Sequence, residues 1–295
     1  MEDRLVETGA VETGAVETGA VETGAVETGT VEAAPSLIQA RDITMRFGNT
    51  TVLHEVTFDV RAGEVVCLLG DNGAGKSTLI KVLSGVYRPT SGSVEIDGTP
   101  VRFAGPAEAR ARGIATVHQY GGTAPLMSID RNFFLGAEPV KGIWPFRRID
   151  RDRTAAESLK ALRELGLSRV TDARQLAGTM SGGERQALAI ARAVYFGARL
   201  LILDEPTSAL GVKEAALVLR MIGTARANGV GVVFITHNAQ HAMAIGDRFA
   251  VLISGAVAAA FRRGEKSRTE VLDLMAGGEE FQALTEGMED AHGPG

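Results

Sequence analysis

The chain has 295 residues, 45% of them apolar and 23% charged, which suits one large globular domain or two small ones. Its formal net charge of −5 is unevenly spread: residues 1–35 carry eight acids and one base, leaving a body of 30 bases and 28 acids. A body so near neutrality gives no reason to expect nucleic acid as a partner; one cysteine excludes an internal disulfide and fits a reducing compartment, and no apolar run approaches the roughly 18 residues of a membrane span.

Five copies of V-E-T-G-x run from Val6 to Thr30. A period of five matches neither a helix nor a strand face, and each copy adds a glycine and a negative charge, so residues 1–35 are expected to be a disordered acidic tail. They also lack the charged-then-apolar pattern of a signal peptide.

Folded sequence begins near Leu37. The alternating runs "LIQARDITMRF", "TVLHEVTFDV" and "GSVEIDG", separated by glycine-containing turns, predict an antiparallel β region reaching about residue 103. Within it, "EVVCLLG" is continuously apolar, as expected of a strand buried on both faces, and Cys67 there reads as a small core residue. Helical patterns follow near 106–112, 154–166 and 181–196, and two more apolar runs come at 200–203 ("LLIL") and 231–237 ("GVVFITH"). Strand runs interleaved with helices predict an α/β core with a parallel sheet. The stretch beyond about 277 is rich in Gly and Glu and is expected to be a flexible tail.

Gly70 to Ser77, "GDNGAGKS", fits G-x-x-x-x-G-K-[ST] between a buried strand and a helical pattern, the context a phosphate loop requires. Its glycines let backbone approach phosphate, Lys76 adds positive charge, and Ser77 is a candidate ligand for Mg2+. In "RLLILDEP" the carboxylates Asp204 and Glu205 emerge where an apolar strand ends, on the edge of the sheet that should also carry the phosphate loop. Asp204 is placed to hold Mg2+, and Glu205 to orient and polarise an attacking water. His237 ends the third apolar run and Gln119 follows the short run "IATV", so both are expected at the same edge. A second seat for an anion is the helix opening "SGGE": Ser181 can cap it, with Glu184 three residues on as a capping box.

In this order and spacing, "GDNGAGKST", "HQ", "MSGGERQ", "LLILDEPTSAL" and "ITH" resemble the ATP-binding subunit of an ABC transporter, over about residues 37–277. The resemblance implies a P-loop (RecA-like) core across 36–278, with an N-terminal antiparallel β subdomain and an α-helical subdomain inserted at about 104–190; 279–295 would be the tail. It implies that Gly70, Asn72, Gly73, Gly75, Lys76, Ser77 and Thr78 bind ATP, with Ser77, Asp204 and Gln119 around Mg2+. Glu205, Gln119 and His237 match the catalytic carboxylate, the Q-loop glutamine and the switch histidine. Ser181, Gly182 and Gly183 match the signature that binds nucleotide across a dimer interface, and Phe47 falls where the family stacks an aromatic on adenine, or is a core aromatic.

Three positions depart from the family pattern. Met180 and Glu184 replace the signature's usual leucine and glutamine, and Gly211 stands where most members carry Asp. Together with "SALGVKE", "ITHNAQHA", "RNFFLGAEP" and "LMAGGEEF", these look like the ATPases of bacterial monosaccharide importers of the ribose, xylose and fructose type. The resemblance thus implies a motor that dimerises with a second copy of itself at the cytoplasmic face of the membrane. It would drive permease subunits served indirectly by a sugar-binding protein. Asn132, Phe133 and Phe134 are candidates for the permease contact if exposed, or for the helical core if buried. The alternative, a soluble ABC ATPase of DNA repair or translation, would need long coiled coils, zinc-binding cysteines or a second ATPase domain, none of which the sequence carries.

Overall fold

A computed structural model describes residues 36–118 and 122–277; both expected tails and Gln119 lie outside the described residues. Strands β1 (Ser36–Phe47) and β2 (Thr50–Arg61) form a hairpin, followed by β3 (Val65–Leu69), α1 (Lys76–Leu83), β4 (Ser91–Ile96) and β5 (Thr99–Val101). Next come α2 (Pro106–Ala111), β6 (Ile114–Val117), α3 (Ile129–Phe134), the short hairpin β7 (Val140–Lys141) and β8 (Arg148–Ile149), α4 (Arg151–Glu164) and α5 (Gly182–Tyr195). The rest alternates more tightly: β9 (Leu200–Asp204), α6 (Val212–Ala227), β10 (Gly231–Ile235), α7 (Ala239–Ile245), β11 (Arg248–Ile253), β12 (Ala256–Arg262) and α8 (Arg268–Met275).

The central sheet has the order β12-β11-β3-β10-β9-β6. Its four pairings from β11 to β6 are parallel, and β12 closes the edge antiparallel to β11. A second sheet, β2-β1-β4-β5, is antiparallel throughout, as the alternating N-terminal runs predict. The fold is therefore α/β with the expected β-rich N-terminal layer.

Side-chain alternation explains the continuous apolar runs. Val65, Cys67 and Leu69 pack into the helical layer with Leu201, Leu203, Val232 and Phe234. The intervening Val66 and Leu68 face the opposite way, joining Leu200, Ile202, Val233, Ile235, α1 and the N-terminal sheet. Both faces are covered, so every position must be apolar. Cys67 is fully buried, and that burial pushes its thiol far above the usual range. It is inert core, as its setting predicts.

In α5 the apolar residues spaced i, i+3, i+4 and i+7 form the packed face: Ala187, Ile190 and Ala191 are buried and Val194 is half-buried. The expectation for "RNFF" resolves to burial. Asn132, Phe133 and Phe134 are all buried, so they cannot form an exposed partner patch. The two rings pack edge-on to each other and to Tyr195. Asn132 saturates the preceding loop, donating from Nδ2 to the carbonyls of Ala124, Met127 and Ser128 at 3.0–3.1 Å and accepting from the Ala124 N–H at 2.7 Å. A buried amide has to be satisfied in this way, and here it fixes backbone.

Candidate functional site

The carboxyl ends of the parallel strands gather the chemistry. The chain leaves β3 through Gly70 and turns into α1 over a loop whose glycines hold positive φ, +141° at Gly70 and +103° at Gly75. The lack of a side chain is a steric requirement at both. A Cβ on Gly70 would stand 2.2 Å from the Leu252 carbonyl oxygen at the end of β11, and one on Gly75 would stand 2.8 Å from the Leu53 side chain. The same wall continues as backbone pairing, with Gly255 N–H donating to Ala74 O at 3.0 Å.

Lys76 opens α1 with its side chain curled into the loop, donating to the carbonyls of Gly70 (2.8 Å) and Asp71 (2.9 Å). Burial lowers its pKa, opposed by the charges of Glu205, Asp71 and Asp204. Ser77 and Thr78 follow in the first helical turn, with Thr78 N–H returned to Gly75 O. Asn72 and Gly73 lie exposed at the loop's crest. The arrangement is a concave backbone cradle with a cation at its rim and a helix N-terminus beneath it, which is what a polyphosphate needs.

Asp204 is the last residue of β9, paired with Ile235 of β10. Burial raises its pKa, with partial relief from His118, whose Nδ1 lies 4.0 Å away at the end of β6. Glu205 leaves the strand at φ +49°, a left-handed conformation that a non-glycine residue adopts only when its surroundings impose it. Those surroundings are visible. Its N–H donates to Ile235 O, its Oε1 accepts from the His237 N–H at 3.0 Å and lies 2.9 Å from His237 Nδ1, and its Oε2 accepts from the Thr236 hydroxyl at 3.3 Å. The end of β10 thus clasps the carboxylate that the end of β9 presents.

Ser181 caps α5 as its sequence predicts. Its Oγ accepts from Glu184 N–H (3.3 Å), and the Glu184 carboxylate accepts from Ser181 N–H (2.9 Å). Gly183 packs on Glu214, at the start of α6; a Cβ there would fall 2.8 Å from that of Glu214. The Ser181 hydroxyl, then the Gly211 and Gly183 N–H groups, hold the Glu214 carboxyl below its usual pKa. Met180 is buried, so its exchange for leucine is a packing matter. No hydrogen bond or ion pair joins residues 70–78 to 181–183 among the described residues.

Phe47 ends β1 with 42% of its surface exposed, edge-on to Tyr87 at 5.3 Å, and so is available for stacking instead of being buried in the core. Sequence reasoning missed Thr236, which grips Glu205, and the pair Thr207–His241, joined at 2.9 Å directly after the carboxylates. Thr236 stood inside "GVVFITH" beside His237, and that adjacency was the available signal. Glu214 had none short of the folded structure.

ATP fits this cradle. For Mg2+ the donor set also fits: among the described residues no three His, Cys, Asp or Glu side chains form a cage, and the site offers the half-buried Asp204 carboxylate and the exposed first-turn hydroxyl of Ser77. That suits a hard cation that keeps water and phosphate oxygens as its other ligands.

Fold and site together define a P-loop ATPase. The ABC transporter family profile matches residues 53–208. Over 252 residues the chain is 38% identical to the fructose import ATP-binding protein of Rhizobium meliloti, covering 84% of this chain and 96% of that one. It is 39% identical over 239 residues to the xylose/arabinose import ATP-binding protein of Sulfolobus acidocaldarius, covering 81% and 93%. The chain belongs to the ABC transporter family, as an ATP-binding subunit. It spans only 49% of the ribose import ATP-binding protein of Geobacillus kaustophilus, to which it is 40% identical. An ATP-binding cassette solved in its ADP conformation shares the fold at TM-score 0.69 and 23% identity, covering 85% of this chain and 99% of that one. A dimeric cassette bound to ADP and phosphate superposes at TM-score 0.63 and 25% identity, covering 78% and 100%.

Proposed function

We propose that this chain is the motor of an ABC importer that takes up a monosaccharide through membrane permease subunits. The carrying observation is its likeness, over nearly their whole length, to relatives named for fructose and for xylose/arabinose import. We assign 36–278 as the ATPase domain, with the helical segment of about 104–190 inserted in it.

In the reaction the Gly70–Thr78 loop and Lys76 hold the phosphates, and Phe47 stacks on adenine. Glu205, its carboxylate oriented by His237 on Oε1 and Thr236 on Oε2, orients the attacking water through a remaining lone pair, which is the positioning that phosphoryl transfer chiefly requires. Ser77, Asp204 and Gln119 would hold Mg2+, which when bound neutralises charge on the phosphate oxygens. The signature Ser181–Gly183 makes no bond to its own phosphate loop, which supports its use by a second copy in a head-to-tail dimer.

The permease is expected in the groove of about 680 Å3 between the sheet edge and the helical segment, lined by Val117, His118, Leu135, Arg192 and Phe196. No helix among the described residues is long and apolar enough to cross a membrane, so attachment at the cytoplasmic face would be peripheral. The test is copurification from the native host, followed by reconstitution. A permease with a sugar-binding protein whose loaded form stimulates ATP hydrolysis supports the reading. Ribosomes or DNA in their place would overturn it.

A further inference from the structure

The hairpin β7–β8 carries a cluster of three large, highly exposed apolar side chains, none of which joins either core cluster. Its ladder is two pairs long, Val140 with Ile149 and Lys141 with Arg148, and its turn is held by Phe146 N–H donating to Ile143 O at 2.7 Å. At the tip Ile143, Trp144 and Phe146 are 81%, 85% and 81% exposed. Backbone holds this tip in shape, yet none of the described residues covers its side chains.

Its charges are as uneven as its apolar surface. Lys141 is paired with Asp150 at 3.1 Å, Arg153 with Glu157 at 2.6 Å, and Arg174 takes Asp152 at 2.7 Å. Those pairs use up the local carboxylates. Arg147, Arg148 and Arg151 then have no ionic or hydrogen-bonding side-chain partner among the described residues. The result is an indole, a phenyl and a branched aliphatic chain at a convex tip, with unpaired guanidinium groups at its base.

From this juxtaposition we propose that the Ile143–Phe146 tip inserts into the interface of an anionic lipid bilayer, with Arg147, Arg148 and Arg151 on the headgroup phosphates. Tryptophan and phenylalanine favour the headgroup boundary, and cations beside them favour anionic lipid. A convex tip with three large side chains is too small to build a stable protein interface by itself. A bilayer needs no matching pocket. Each arginine near an anionic surface is worth about fivefold in affinity at physiological salt, so the contact is weak and reversible, and it would orient a subunit held elsewhere. The inference needs no permease and stands apart from the import reading.

Trp144 is the chain's single tryptophan, so its fluorescence reports this tip alone. The full chain is titrated with vesicles of phosphatidylcholine alone and with phosphatidylglycerol added, the latter also with brominated acyl chains. The expected result is a blue shift and bromine quenching on the anionic vesicles only, weakened by high salt. Affinity should fall at least tenfold in Arg147→Gln/Arg148→Gln/Arg151→Gln and in Ile143→Ser/Phe146→Ser, with ATP binding retained in both. An unchanged spectrum on anionic vesicles would overturn the proposal. So would a blue shift that grows with protein concentration without lipid, which reports self-association, or one seen only in membranes containing a permease, which reports protein docking.

Discussion

His237 holds Glu205 twice through one oxygen, by its backbone N–H at 3.0 Å and by its ring Nδ1 at 2.9 Å. The imidazole therefore bears on the carboxylate that we propose orients water. Glu205→Gln should retain ATP binding and lose at least about 100-fold in turnover, the usual scale for removing a general base. His237→Ala should lose activity in the native background and almost nothing further in Glu205→Gln, because residues acting as a unit are not additive. A phosphate-release assay on the two single variants and the double variant checks this; normal hydrolysis in Glu205→Gln would remove Glu205 from the catalytic role.

The separation of the phosphate loop from the signature within one chain has a stoichiometric consequence. Lys76→Ala and Gly182→Asp should each be inactive alone. Mixed, they should regain turnover, because one of the two sites in the heterodimer then carries neither defect. Gly182 is the better of the signature glycines for this purpose. An added Cβ there meets flexible side-chain ends, Leu210 at 2.9 Å and Glu214 Oε2 at 3.8 Å, whereas at Gly183 it meets the Glu214 backbone. Absence of any recovery in a verified heterodimer would count against the shared site.

Phe47 is 42% exposed, lies outside both core clusters and meets Tyr87 edge-on, so Phe47→Ala should leave thermal stability nearly unchanged. Loss of a base-stacking platform costs about 1–3 kcal/mol, so the KM for ATP should rise at least fivefold. Substitution by tyrosine should restore it. A melting shift without a KM change would return Phe47 to a packing role.

Asp59 and Arg248 join β2 to β11 by a bidentate pair at 2.7 and 3.0 Å. The Arg248 hydrogen bonds hold the Asp59 carboxyl below its ordinary pKa. The folded protein therefore keeps this carboxylate ionised at pH values where the unfolded chain, titrating near about 3.9, has taken up a proton. The pair's contribution is complete above that value and fades as pH falls from it through the lower folded pKa. Asp59→Asn should cost about 1–2 kcal/mol at pH 7 and progressively less below about pH 4, measured by denaturant unfolding across that range.

What the sequence makes legible follows from how local the cause is. The phosphate loop, the strand-end carboxylates and the capped "SGGE" helix are each specified by residues within a few positions of one another. All three stand where their patterns place them. The burial of Phe133 and Phe134 depends on Tyr195 and Phe196, some sixty positions away in sequence, and no local pattern carries that. Strands β11 and β12 went unread for a related reason. "AVAAAFR" is too rich in alanine to announce a strand, and it is one because β11 offers it an edge. Glu214 belongs to α6 by sequence and to the signature by contact, and only tertiary packing brings it there.

The Leu252 carbonyl that backs Gly70 gives the chain an order of assembly. The family profile ends at residue 208, yet the wall that shapes the phosphate cradle is supplied more than forty positions later. A nascent chain leaving the ribosome has made its Lys76 loop, both carboxylates and the signature before it has made that wall. The wall of the cradle is therefore in place only once β11 pairs with β3, so the loop's final shape depends on strands far apart in sequence.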